Sequence, residues 1–176
     1  ALRNRDWKHK TGYTYGLHGT PVTFTLEERI ATLEGGQFCT LVPSGLAAVA
    51  LVGMAFLKAG DEVLIPDNAY GPNKIFAHHE LAGWGITFRC YDAMAPGDLA
   101  AKLSSKTRLV WLEAPGSVTL EFPDLPGLVA VVKAHGQRHP EGIVTALDNT
   151  WGAGIAFNAF ALGADVSVQA LTKYPS

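Results

Sequence analysis

The chain has 176 residues, 48% of them apolar and 17% charged, and 14 basic against 16 acidic side chains leave a net charge of −2. This is an ordinary globular composition for one domain with a substantial core, which argues against disorder. No Lys/Arg cluster forms a surface for tracking phosphates, so nucleic acid is excluded as the principal partner and small molecules are expected instead. The longest apolar stretch, 46–57, is interrupted by Gly53 and is too short to span a bilayer, and no signal-peptide pattern opens the chain. Cys39 and Cys90 each lie in an apolar segment, which suits buried thiols of a reducing compartment better than a disulfide framework, so a cytoplasmic location is expected. The chain opens on Ala1 and a polar, basic stretch, and both ends look cut from a longer polypeptide.

Residues 26–33 set apolar side chains at helical spacing around Glu27, Glu28 and Arg29, and Gly35-Gly36 supplies a stop signal. A strand is expected over 37–42, a tight turn at Pro43-Ser44-Gly45, and a buried helix rich in Ala, Val, Leu and Met over 46–58. The pattern continues as strand 62–65, helix 73–81, strand 86–91, helix 97–103, strand 108–113, helix 125–135, strand 143–147 and strand 166–170. Alternation at this spacing predicts an α/β fold, a mostly parallel sheet joined by right-handed crossovers and flanked by helices. The nearly continuous apolar runs from Glu62, Arg108 and Ile143 predict helices on both faces. In such sheets ligands bind beyond the carboxyl ends of the strands.

Those ends carry Ser44-Gly45, Asn68-Ala69-Tyr70, Glu113 to Ser117, Asp148-Asn149-Thr150-Trp151 and Thr172-Lys173. Lys173 follows a strand-like segment that starts at Asp165; desolvation there favours its neutral, nucleophilic amine, whereas in water it would be a plain strand cap. Ser44-Gly45-Leu46 opens a helix whose unpaired N–H groups suit a phosphate, Gly45 allowing close approach, with a simple Ser N-cap as the alternative. Asp148 ends a buried strand and needs a cationic partner or a turn to cap. Tyr70 sits where an aromatic face can cover a planar ligand or merely pack. Together a phosphate anchor, a stacking aromatic, a carboxylate for a protonated ring nitrogen and a lysine amine describe a pocket for pyridoxal phosphate.

These motifs, in this order, resemble the Cys/Met-metabolism enzymes dependent on pyridoxal phosphate. The resemblance runs from Tyr15 to the end through Tyr15-Gly16, Gly19-Thr20, Leu33-Glu34-Gly35-Gly36, Ser44-Gly45-Leu46-Ala47-Ala48, Glu113-Ala114-Pro115-Gly116-Ser117, Asp148-Asn149-Thr150-Trp151 and Thr172-Lys173-Tyr174. It implies an aspartate-aminotransferase-like (fold type I) large domain over 25–176, incomplete at both ends. An N-terminal arm over 1–24 would contact a neighbouring subunit, and a C-terminal small domain would lie outside the chain. By the resemblance Lys173 is the Schiff-base lysine, Asp148 the partner of the pyridine nitrogen, and Tyr70 the stacking ring that helps to handle protons. Gly45 and Leu46 bind the phosphate through backbone N–H groups and Thr172 through its hydroxyl. Tyr15 reaches the phosphate of a neighbouring subunit in a homotetramer built as a dimer of dimers.

Pro115-Gly116-Ser117 and Asn149-Thr150-Trp151 resemble the β-lyase branch, which cleaves cystathionine or related cysteine conjugates to a thiol, pyruvate and ammonia. The alternatives are a γ-acting relative or a catalytically silent α/β binding module. Leu17 stands where many members carry an arginine and Ala170 where many carry a serine, shifting phosphate binding towards backbone groups and Thr172. His18 is read as a solvated loop residue. No metal site is expected: His78-His79 are adjacent on a helix and so point apart, and His135 with His139 has no Glu or Cys nearby. Glu113 has no assigned role.

Overall fold

The computed structural model describes residues 12–13, 15–137 and 141–174; His139 lies outside them. Five strands form one sheet: β1 (Glu62–Pro66), β2 (Thr87–Tyr91), β3 (Thr107–Glu113), β4 (Val144–Asp148) and β5 (Val166–Val168). Their order is β2-β1-β3-β4-β5 and every neighbouring pair is parallel. The helices are α1 (Pro21–Glu34), α2 (Gly45–Phe56), α3 (Gly71–Phe76), which runs on into a π-helical turn (Ala77–Leu81), α4 (Pro96–Lys102) and α5 (Leu125–Gly136).

Side-chain alternation along the strands sorts the core into two layers. Val63, Ile65, Leu109, Trp111 and Ala146 pack with Val49 and Val52 of α2 and with Ala77 and Leu81 after α3. Leu64, Val110, Leu112 and Leu147 face the other way, onto Leu99 of α4 and Leu128 and Val132 of α5. Burying each such Leu or Val contributes about 1.5–3 kcal/mol. This two-sided burial is why β1, β3 and β4 are nearly continuous apolar runs, while the edge strand β2, with Thr87 and Arg89 exposed, is not.

Three boundaries depart from the sequence expectation. Helix α1 begins ahead of position 26 because Thr20 caps it: the Thr23 N–H donates to Thr20 Oγ1 at 3.4 Å, and the Thr20 N–H donates to Thr23 Oγ1 at 2.7 Å. Pro21 in the first turn has no N–H to leave unpaired. Gly35, with φ of 73°, ends the helix in the left-handed region, where a Cβ would also meet the Asn158 side chain.

The second departure is the segment 37–42, which joins no ladder. A cavity of about 270 Å³ is lined by Phe38 and Thr40 of this segment and by Val166 and Val168 of β5. Without a neighbouring strand the segment finds side-chain partners, and the Leu41 N–H donates to Glu27 Oε1 at 2.9 Å. The third is β5, which stops at Val168 rather than at 170. The Ala170 N–H is diverted to Thr150 Oγ1 at 3.0 Å, and Lys173 therefore sits on the turn beyond the strand.

From β1 the chain steps out to β2 and then returns past β1 to β3. The connections leaving β1 and β3 consequently diverge, and such a switch point opens a crevice at the carboxyl ends of those strands.

Candidate active site

Tyr70 enters the crevice from the turn after β1, and its N–H donates to Glu113 Oε2 at 2.8 Å, locking the turn to the end of β3. Glu113 and Asp148 are register partners on β3 and β4. Asp148 Oδ1 accepts the Thr150 N–H at 3.1 Å, and Thr150 in turn holds Ala170, so the loops after β4 and β5 are tied together. That tie sets the Lys173 turn, where the Lys173 N–H donates to the Ala170 carbonyl at 3.2 Å. Lys173 Nζ lies 5.6 Å from the centre of the Tyr70 ring.

From the opposite wall comes the start of α2. Ser44 Oγ accepts the Ala47 N–H at 3.1 Å, so Ser44 is an N-cap. The N–H groups of Gly45 and Leu46 belong to the first helical turn and have no acceptor within the helix. A Cβ on Gly45 would come within 2.9 Å of the Ala170 Cβ, which is why the helix can approach the β5 loop this closely.

These elements enclose a cavity of about 210 Å³ lined by Gly45, Leu46, Tyr70, Asp148, Thr172 and Lys173, with Glu113 beside them. Six of the seven residues singled out from the sequence thus share one space. Tyr15 does not: it is 65% exposed and packs edge-on against His18. Lys173 is also exposed, so the burial that would desolvate its amine is not provided by this chain. Leu17 is 83% exposed, outside the cavity. Cys39 and Cys90 are thiols rather than a disulfide, and both are only partly buried.

The electrostatics of the two carboxyls are strained. Burial pushes Glu113 up to about 8, the neighbouring Asp148 adds to the shift, and the Tyr70 N–H, Lys173 and Lys74 oppose it. Burial also raises Asp148, against the hydrogen bonds of Thr150 and the charge of Lys173. Both carboxyls therefore call for positive charge or a proton in the cavity.

Glu34 enters the sequence reading only as part of the Leu33-Glu34-Gly35-Gly36 motif, which does not reveal its organising role. Glu34, only 4% exposed, accepts from Asn149 Nδ2 at 2.9 Å, from Ser167 Oγ at 3.1 Å and from Gln169 Nε2. It clamps the end of α1 onto the segments that carry Asp148 and Lys173. An acid in the last turn of a helix opposes the helix dipole, and that misplaced charge was the available signal. His78 and His79 contact each other, and His78 meets Phe88 edge-on. Among the described residues no group of three His, Cys, Asp or Glu side chains is placed to hold a metal, and no helix is long and apolar enough to cross a membrane.

Residues 3–176 match the family described as Cys/Met metabolism PLP-dependent enzymes. The chain is 42% identical to cystathionine beta-lyase MetC of Escherichia coli over 91% of its own length and 40% of that protein's. It is 32% identical to human cystathionine gamma-lyase over 93% of its length and 39% of that enzyme's. Among solved structures, a putative O-acetylhomoserine (thiol)-lyase of Campylobacter jejuni, which carries N′-pyridoxyl-lysine-5′-monophosphate, superposes with a TM-score of 0.81. That likeness has 28% identity and covers 89% of this chain and 37% of the neighbour. The chain thus spans about 40% of the length of the relatives it matches. Its parallel sheet, its strand-end residues and these similarities agree: the chain belongs to the Cys/Met metabolism family of pyridoxal-phosphate-dependent enzymes.

Proposed function

We propose that the intact protein is a carbon–sulfur β-lyase that cleaves cystathionine or a related cysteine conjugate to a thiol such as homocysteine, pyruvate and ammonia. The observation that carries this reading is the gathering of Lys173, Tyr70, Asp148, Thr172 and the start of α2 around one cavity. The donor set suits the cofactor part by part. The Gly45 and Leu46 N–H groups and the Thr172 hydroxyl suit its phosphate, the raised Asp148 carboxyl suits a protonated ring nitrogen, and the Tyr70 ring suits its planar face. Lys173 Nζ is the amine that would bond its aldehyde carbon. When bound, pyridoxal phosphate supplies an electron sink that lets bonds at Cα and Cβ of an amino acid break.

The protein's own work is then proton handling and positioning. Lys173 Nζ takes the α-proton of the substrate, and the hydroxyl of Tyr70, whose ring centre lies 5.6 Å from that amine, delivers a proton to the departing thiolate. Asp148 would supply the carboxylate that pairs with a protonated ring nitrogen, and Thr150 keeps it oriented through its N–H. The exposure of Lys173 and Tyr15 supports a site completed by further protein, with Tyr15 reaching the phosphate of a second copy in a dimer of dimers. In this reading the described residues from α1 onward belong to the cofactor-binding large domain, which an N-terminal arm and a small domain would complete in the intact, cytoplasmic enzyme.

A second reading, γ-elimination or γ-replacement, is favoured by the likeness to human cystathionine gamma-lyase. Supplying cystathionine to the intact protein separates the two: pyruvate marks the β-lyase and 2-oxobutyrate the γ-lyase. Substituting Lys173→Ala is expected to lower turnover by about a thousandfold or more. Wild-type turnover in that variant would refute the assignment of Lys173, and a protein forming neither product nor a borohydride-reducible adduct would be a silent module.

A further inference from the structure

Glu113 lines the cavity, yet the reading above gives it no part. It is 4% exposed, and its register partner is Asp148. Neighbouring strands run about 4.8 Å apart, so two side chains at paired positions on the same sheet face are close neighbours. Two carboxylates so near each other in a shielded cavity do not readily ionise together.

The surroundings decide which of them keeps the proton. Burial raises Asp148 too, but it keeps some exposed area, and hydrogen bonds from Thr150 and the charge of Lys173 favour its anion. Glu113 is 4% exposed and receives the single Tyr70 N–H, and among the described residues no second hydrogen-bond donor favours its anion. Two basic groups bear on it from other elements, Lys173 beyond β5 and Lys74 on α3. Lys74 Nζ is already committed to the Asp67 carbonyl, and Lys173 is exposed and shared with Asp148.

We propose that Glu113 is a positioning residue: as a neutral carboxylic acid it fixes the Tyr70 turn by accepting the Tyr70 N–H, and its neutrality leaves Asp148 the single anionic carboxylate of the cavity. This role rests on the reading of the cavity as the pyridoxal phosphate site. Burial and the adjacent Asp148 push Glu113 up to about 8, in keeping with the geometry. The proton stays with Glu113 at neutral pH, and ionisation above that range would set a second negative charge beside Asp148.

The test is infrared difference spectroscopy on the intact protein, cofactor-free and cofactor-loaded, following the carbonyl stretch of protonated carboxyl groups against pH. Cofactor-free wild type is expected to show a protonated carboxyl at pH 7 that titrates away near pH 8 and is missing from Glu113→Gln. In Asp148→Asn the same signal is expected to titrate at lower pH, because the like charge has gone. Positioning is read from affinity for pyridoxal phosphate. Gln still accepts the Tyr70 N–H and should bind within about threefold of wild type, whereas Glu113→Leu leaves that N–H unpaired and should bind about tenfold or more weakly.

A wild-type spectrum without that carboxyl at pH 7, or one unchanged by Glu113→Gln, overturns the proton assignment. Equal affinities for the Gln and Leu variants overturn the positioning role. If wild type failed to take up the cofactor at Lys173, the site reading itself would fall, and the cofactor-free spectrum would still decide the state of Glu113.

Discussion

Two buried glutamates stand at opposite ends of the same sheet and are treated in opposite ways. Glu62, at the start of β1, accepts from Arg89 Nε at 2.7 Å and Nη2 at 3.0 Å, from Ser104 Oγ at 2.9 Å and from Thr107 Oγ1 at 2.7 Å. Burial works against its charge, but the hydrogen bonds from Arg89, Thr107 and Ser104 outweigh it and hold the carboxyl below the usual range. Glu113, at the end of β3, is buried to a similar degree but meets one N–H and a second carboxyl. The amino-terminal edge is saturated and closed. The carboxyl-terminal edge sets two carboxyls with few donors beside a cavity, a pattern that marks functional sites.

The largest expected effect lies at the open end. Asp148→Asn in the intact enzyme should lower the rate of pyruvate formation by about a hundredfold or more, with little change in the urea midpoint. A large loss of stability with turnover retained would make Asp148 a structural residue like Glu62 and erase the contrast.

At the closed end Glu62→Leu should destabilise by about 2–4 kcal/mol in urea unfolding, since it strips the buried Thr107 hydroxyl of its acceptor as well as parting Arg89 from its ion pair. Arg89 is 45% exposed and can rehydrate, so this is less than a fully buried pair would lose. Cofactor affinity should not move.

The pH dependences have opposite signs. Glu113, raised to about 8, contributes stability that is fully present below its unfolded value and is lost as pH rises through about 8. Glu62, lowered, contributes stability present above its unfolded value and lost as pH falls through the folded one. Melting curves of Glu113→Gln should therefore gain on wild type between pH 5 and 8, by up to a few kcal/mol. Glu62→Gln should lose on wild type as pH rises from 3 to 6.

The smallest effect is expected at Glu34→Gln. One amide oxygen can still accept from Asn149 or Ser167, so the loss should be about 1–2 kcal/mol. If this variant weakened cofactor binding as much as Asp148→Asn, the clamp would belong to the site rather than to its support.

Reading along the chain was most successful where neighbouring residues carry the information. The strands β1, β3 and β4 and helix α5 emerge from apolar runs and turn signals because burial on both faces of a sheet writes itself into consecutive residues. The six candidate residues that share the cavity could be picked out by position, Tyr70 after β1, Asp148 at the end of β4, Thr172 and Lys173 beyond β5, and Gly45 and Leu46 at the start of α2. The segment 37–42 misled because its composition records β propensity, while a strand also needs a partner, and here a cavity lies alongside. Tyr15 was read from its resemblance alone, and within this chain nothing draws it to the cavity.

The sequence by itself determined the α/β alternation, the parallel sheet and the set of chemical groups at its carboxyl end, because these follow from short-range patterns and a topological rule. Tertiary structure alone decided how those groups are charged and held. Tyr70 finds Glu113 across 43 positions and Asn149 finds Glu34 across 115, separations at which local periodicity carries no information. Whether a carboxyl becomes a structural knot like Glu62 or a proton-holding group like Glu113 depends on which distant donors the fold brings within hydrogen-bond reach.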